Sequence, residues 1–155
     1  MAEATWAWDT VLQMKRYGES TFINIARVED LDGPSRTRDS IEKTHLRSTD
    51  KFKEYLPGLK DGGELNFVLQ YDPSETSHDA TDGLEAAFDD DDNATWRVLS
   101  PITGVVGREG WEFEGHITKM GLKFQKDKVI TQDVSIKISG PVTQDDYEFT
   151  DDSSV

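Results

Sequence analysis

Between residues 35 and 59 the chain is almost wholly polar or charged, and its few apolar residues (Ile41, Leu46, Phe52, Tyr55 and Leu56) keep neither a helical nor a strand period for long. A connection of that length inside a compact domain is usually functional or disordered. Strong β signals follow it at once. Asp61-Gly62-Gly63 makes a turn, Leu65, Phe67, Leu69 and Tyr71 alternate on one face of a strand, and Asp72-Pro73 stops it. A polar arm with too little apolar matter to hold itself in place, joined to a well-patterned strand, points to a protein completed by its neighbours.

At 155 residues the chain fits one domain with a real core. Only 35% of it is apolar, below the usual globular share, so long solvated or partner-facing segments are expected. It has no apolar run long enough to form a membrane-spanning helix. Without cysteine, disulfides and cysteine-ligated zinc are impossible. The segment 1–8 has neither the basic start nor the apolar core of a signal peptide, so synthesis in a cytoplasm is the expectation. The net charge is −14, and nearly all of the excess lies in residues 79–92 and 144–155, which contain no Lys or Arg. Such a chain should not grip nucleic acid by its phosphates, which takes a basic surface. It can still meet nucleic acid without binding it, because like charges repel.

Residues 1–20 read as a peripheral segment, with Trp6 and Trp8 as a short strand or an anchor. Residues 21–28 predict a strand ending at Asp32-Gly33-Pro34. Ala80, Leu84, Ala87 and Phe88 form an apolar stripe that predicts a helix over about 77–89, capped by Ser74 or Ser77. A short strand at 95–99 should end at Ser100-Pro101. Residues 111–118 alternate, with Trp111, Phe113 and Ile117 on one face and Glu112, Glu114, His116 and Thr118 on the other. A last strand at 129–139, closed by Gly140-Pro141, precedes an acidic tail at 143–155. The expected fold is mainly β: an antiparallel sandwich or partial barrel over 21–142 with one flanking helix and a hairpin-like arm at 33–60.

Sites of chemistry fail one by one. Asp89, Asp91 and Asn93 take the first, third and fifth places of a calcium loop, but Ala94 stands where glycine is needed and Ser100 where glutamate is needed. His45, His78 and His116 sit in separate segments and read as ordinary surface or strand-face residues. Gly104, Gly107 and Gly110 have the wrong spacing for a dinucleotide loop and read as a flexible connection between strands. Glu112 and Glu114 share one strand face, whereas paired catalytic carboxylates oppose each other across a substrate. Trp96 and Trp111 fit a core better than a sugar platform. No nucleophile, base and orienter assemble, so neither catalysis nor a cofactor or metal is expected.

The sequence carries, in order, the 22–28 strand, Asp32-Gly33-Pro34, the polar arm, Leu56-Pro57-Gly58, Asp61-Gly62-Gly63-Glu64, Tyr71-Asp72-Pro73, Leu84-Glu85-Ala86-Ala87-Phe88 and the 129–141 strand. Over roughly residues 20–142 this order resembles the major tail tube protein of long-tailed, non-contractile, siphovirus-type bacteriophages. The resemblance implies a phage tail tube fold, hexameric rings stacked head to tail, and one inner barrel closed by strands of every subunit. Four strands per subunit, about 24 in all, spaced ~4.8 Å and tilted ~40°, would enclose a barrel roughly 48 Å across. It implies that the arm is disordered alone and reaches into the next ring through Arg36, Arg38, Ile41, Leu46, Arg47, Phe52, Tyr55 and Leu56. Strand alternation nominates Glu64, Asn66, Gln70, Glu112 and Glu114 to face the lumen. The implied partners are the chain itself and the tape-measure, tail terminator and distal tail proteins. DNA would transit without specific binding, no membrane is involved, and the protein would reside in the virion after assembly in the host cytoplasm. The alternatives are a type VI-like secretion tube and a non-catalytic β-sandwich module that binds ligand through Trp96 or Trp111.

Overall fold

The computed structural model describes residues 9–44 and 51–148. Its strands are β1 (Val11–Lys15), β2 (Ile23–Asn24), β3 (Val28–Asp32), β4 (Thr37–Glu42), β5 (Tyr55–Asp61), β6 (Glu64–Gln70), β7 (Ala94–Thr103), β8 (Arg108–Lys123) and β9 (Thr131–Tyr147). One short α-helix, α1 (Leu84–Asp89), lies against β8. Seven strands form one antiparallel sheet in the order β2-β1-β7-β8-β9-β6-β3, while β4 and β5 pair with each other.

The expected 21–28 strand is split, and the split shapes the whole sheet. Its halves, β2 and β3, are consecutive in the chain yet lie on opposite edges. The four Cα steps from Asn24 to Val28 reach at most about 14 Å, so the two edges must curl towards each other. Ile25 N–H still bonds Leu12 of β1 (2.8 Å), whereas the Arg27 carbonyl already accepts Gln70 N–H of β6 (2.9 Å). Ala26, in the gap, has no strand beside it. Its N–H donates to Ser77 Oγ (2.9 Å) and its carbonyl pairs with His78 Nε2 (2.7 Å). Asp72 N–H donates to His78 Nδ1 (3.2 Å), which leaves Nε2 as the protonated nitrogen that donates to Ala26. His78 is therefore a buried pin and not the ordinary surface or strand-face residue expected.

The curled sheet is a half-barrel, the partial barrel of the expected fold, and its concave face holds the core. Leu12, Met14, Leu65, Phe67, Leu69, Trp96, Phe113, Ile117, Val134 and Ile136 are buried there, as period-two alternation dictates. Trp96 is fully buried and its indole N–H donates to the Gly115 carbonyl (3.1 Å). Leu12 and Met14 bring the expected peripheral N-terminal segment into this core, because β1 pairs with both β2 and β7.

Two expected stops do not stop their strands. Gly140-Pro141 lies where the β8–β9 register shifts between Glu112–Thr143 and Glu114–Ser139, and Ser100-Pro101 lies at the shift between Leu99 and Thr103. At a bulge the missing proline N–H costs no ladder bond. β9 consequently runs into the expected acidic tail as far as Tyr147, and β8 continues through Gly121.

The helix expected over 77–89 shrinks to a 3-10 turn at Thr76–His78 and to α1. Ser77 and His78 turn inward to Ala26, and Asp79 Oδ1 accepts the N–H groups of Thr81 (3.1 Å), Asp82 (2.8 Å) and Gly83 (3.1 Å). A side chain that satisfies those donors in a non-helical turn competes directly with the helix. Ala80 and Phe88 of the expected stripe are exposed, while Leu84 and Ala87 reach the core.

Two outcomes follow from these contacts. His78→Leu leaves the Ala26 carbonyl and the Asp72 N–H without partners and should lower stability by about 2 kcal/mol or more in urea unfolding. The Asp79 carboxyl is held below its usual range chiefly by the Asp82 N–H, with Thr81 and Gly83 contributing. A folded-state value below the unfolded one stabilises fully above the ordinary carboxylate pKa of about 3.9. That stabilisation fades as pH falls through the depressed value. Thermal melts should therefore show wild type above Asp79→Ala by a constant margin at neutral pH, narrowing below about pH 4.

Candidate functional site

The polar arm is a β-hairpin in this structure, in keeping with the hairpin-like arm of the expected fold, although its own residues carry no sustained strand period. β4 and β5 pair through Thr37–Asp61, Ile41–Leu56 and Glu42–Tyr55, and Lys43 N–H extends the ladder to the Glu54 carbonyl (2.9 Å). The opposed apolar pair Ile41–Leu56 and the ladder bonds hold a two-stranded ribbon whose partners a reading along one strand does not reveal. Arg36, Arg38, Ile41, Phe52, Tyr55 and Leu56 are all exposed on it, Phe52 by 73%. Leu46 and Arg47, also expected here, lie outside the described residues, as do Trp6 and Trp8. Arg38 Nε donates to the Gly58 carbonyl (3.2 Å).

The arm joins the sheet at Asp61-Gly62-Gly63-Glu64, where β5 meets β9. Asp61 Oδ1 accepts Gly63 N–H (2.8 Å), and the Gly63 carbonyl accepts Ile138 N–H (3.0 Å). Gly63 has φ +76° and a Cβ there would overlap the Ser35 carbonyl, so the junction requires glycine. The Gly63 N–H and then Lys137, whose Nζ is 3.6 Å away, hold the Asp61 carboxyl below its usual range.

The five residues nominated by alternation come together on one face. Glu64, Asn66 and Gln70 stand opposite Lys137, Ser135 and Thr131 of β9, while Glu112 and Glu114 stand opposite Thr143 and Ser139. This is the convex face of β7-β8-β9-β6, behind the core. Glu64, Asn66 and Glu114 are exposed, whereas Gln70 and Glu112 are half-buried. Ser135 Oγ donates to Asn66 Oδ1 (2.7 Å). Glu112 is not a bare acid: Arg97 Nε lies 3.3 Å from it, and that guanidinium also covers the rings of Phe22 (4.0 Å) and Tyr147 (4.6 Å). The face also carries Arg97, Asp133, Ser135 and Lys137, which were not nominated although the alternation of Val134, Ile136 and Ile138 implies the β9 set. Its charge is mixed rather than purely acidic.

Other acids serve structure. Asp90 takes a two-point contact from Arg16 (3.0 Å and 3.0 Å), which ties the end of α1 to β1. Among the described residues no cluster of His, Asp and Glu is placed to hold a metal ion. His116 is exposed and pairs with Asn93 Oδ1 (3.2 Å). With Trp96 sealed in the core, it offers no platform to a sugar.

The family model described as "phage tail tube, TTP, lambda-like" matches residues 9–146. Comparison with curated proteins gives no match. A chain from the tail of an empty gene transfer agent particle with C6 symmetry is 15% identical, with a TM-score of 0.72 over 92% of this chain and 99% of that one. The SPP1 tail tube protein is 9% identical, with a TM-score of 0.66 over 91% and 78% of the two chains. A chain from the sheath/tube terminator of an extracellular contractile injection system is 11% identical, with a TM-score of 0.68 over 93% and 98%. At these identities the likeness is one of fold. The sequence match, in contrast, takes in both edges of the curled sheet, the arm and nearly all of the β8–β9 ribbon, and the chain belongs to the lambda-like phage tail tube family, whose members are structural parts of the phage tail.

Proposed function

We propose that this chain is the wall subunit of a tail tube: hexameric rings, stacked head to tail, form a hollow conduit for phage DNA. The observation that carries this reading is the hairpin arm. A finished core stands beside a ribbon whose Ile41, Tyr55, Leu56 and Leu59 are exposed to solvent, and a monomer gains nothing from such a ribbon. In the tube the arm reaches the adjacent ring, which supplies the apolar surface it lacks. The convex face with Glu64, Asn66, Gln70, Glu112 and Glu114 lines the lumen. Of its cations, Arg97 is engaged with Glu112 and Lys137 with Asp61, and the free Lys119 and Lys123, opposite Ser135 and Thr131, lie towards one end, so it offers no continuous basic track to hold phosphates. Tape-measure, terminator and distal tail proteins are the further partners, and assembly takes place in the host cytoplasm before the tail joins the virion.

Purified protein at high concentration should form tubes with a central channel in negative-stain micrographs. Replacing residues 37–60 by a short Gly-Ser linker should leave a cooperative melt near that of the parent and abolish tubes. Loss of folding in that variant would place the arm in the core and overturn its role. Glu64→Lys with Glu114→Lys should preserve tubes and sharply reduce DNA delivery in a complementation assay. Normal infectivity of that double variant would put these residues outside the lumen.

A further inference from the structure

The turns at the two ends of β8 differ in charge and are both tipped with exposed apolar side chains. β8 is sixteen residues long and pairs with β9 along its length, so the 104–107 turn and the 124–130 turn lie at opposite ends of one ribbon. At about 3.4 Å per residue the strand between them is on the order of 50 Å long. Around the first turn stand Glu109, Asp145, Asp146 and Glu148, and its cation Arg108 is already bound to the Asp9 carboxylate (2.8 Å). Around the second stand Lys119, Lys123, Lys126 and Lys128 with the acids Asp127 and Asp133. These lysines are all exposed and none of the ion pairs found among the described residues involves them.

The acidic end is rigidly built. Asp146 accepts the N–H groups of Val106 (2.7 Å) and Gly107 (2.9 Å), and Gly104 N–H bonds the Gly107 carbonyl (2.8 Å). A Cβ at Gly107 would overlap the Tyr147 carbonyl. The connection expected to be flexible is thus clamped, and it holds Val105 out at 100% exposure with Val106 beside it. At the basic end Phe124 is 69% exposed and Val129 is also exposed. An apolar tip within a charged rim is the anatomy of a protein interface.

We infer that these two ends bind each other between copies: the Val105-Val106 turn and its acids dock on the Phe124–Val129 turn and its lysines in a subunit of the next ring. A second copy is the occupant that the charges select. Opposite charges on opposite ends of one ribbon make every subunit complementary to the next, which gives a heterologous contact that propagates. A two-fold dimer joining like ends would instead set lysine against lysine or acid against acid. The inference rests on the tube reading and assigns it a stacking contact separate from the arm.

Charge reversal with rescue tests it. Lys126→Glu/Lys128→Glu turns the basic end acidic, and Asp145→Lys/Glu148→Lys sets two lysines against Glu109 and Asp146 and so cancels the charge of the acidic end. Each alone should melt like wild type and raise the protein concentration needed for tubes by at least about tenfold. An equal mixture of the two, or the quadruple variant, should restore assembly, and added salt should weaken wild-type assembly. Val105→Asp, at a position with no packing to lose, should block tubes in the same way. If the double variants assemble like wild type, or if neither the mixture nor the quadruple variant rescues them, the two ends do not meet. A wild-type protein that forms no tubes would instead remove the tube reading itself, so the two failures are told apart.

Discussion

The peptide unit at Ala26 is the joint on which the sheet closes. A chain that leaves one sheet edge and joins the other must cross a gap where no strand can pair with it. An unpaired backbone group in such a place costs about 1–3 kcal/mol. Ser77 and His78 remove that cost by offering an acceptor and a donor at the right spots. Their own segment is fixed in turn by Asp72 N–H on His78 and by the Arg27 ion pairs to Asp72 and Glu75 (3.3 Å each). With the crossing secured, the sheet has to curl, the concave side becomes a sealed core, and the convex side is left as a continuous polar surface.

The β8–β9 ribbon gives that curled sheet its length. The two strands carry the core face and the convex face through the same alternation, so packing and surface are set together. Register shifts at Glu112/Glu114, beside Pro141, and at Ile117/Lys119 let the ribbon bend without losing register elsewhere. The arm departs from its flank at Gly63, and the ribbon ends in turns of opposite charge. In the proposed tube, three surfaces then have separate duties: the convex face towards the lumen, and the arm and the ribbon ends towards adjoining rings.

The acidic excess is distributed among these duties rather than spread as a uniform field. Asp61, Asp79 and Asp146 accept backbone N–H groups that organise a turn and are held below their usual range chiefly for that reason, while Asp72 is held down first by the Ser74 hydroxyl and then by the Ser74 N–H. Asp90 is committed to Arg16, and Glu112 to Arg97. Reading net charge as lumen potential therefore overstates it. What remains unpaired on the convex face is Glu64, Glu114 and their neighbours, while the acids near Val105 belong to an end of the subunit.

Local pattern settled whatever depends on a residue and its near neighbours. Alternation in β6, β8 and β9 placed Leu65, Phe67, Phe113, Val134 and Ile136 in the core and put Glu64, Asn66, Gln70, Glu112 and Glu114 on a common opposite face, because side chains in a strand alternate whatever pairs with it. The Asp61-Gly62-Gly63 turn and the stop at Asp72-Pro73 were legible for the same reason. Contacts between distant segments decided the rest. The break at Ala26 depends on Ser77 and His78, some fifty positions away. The place of Leu12 and Met14 in the core depends on β7. The short helix depends on inward-turned side chains and on Asp79, and the passage of strands through Pro101 and Pro141 depends on bulges that only a partner strand defines. By itself the sequence determined which faces are apolar and where the chain turns. The tertiary structure decided which edges meet, since hydrogen-bond partners far apart in the chain leave no periodic mark on it.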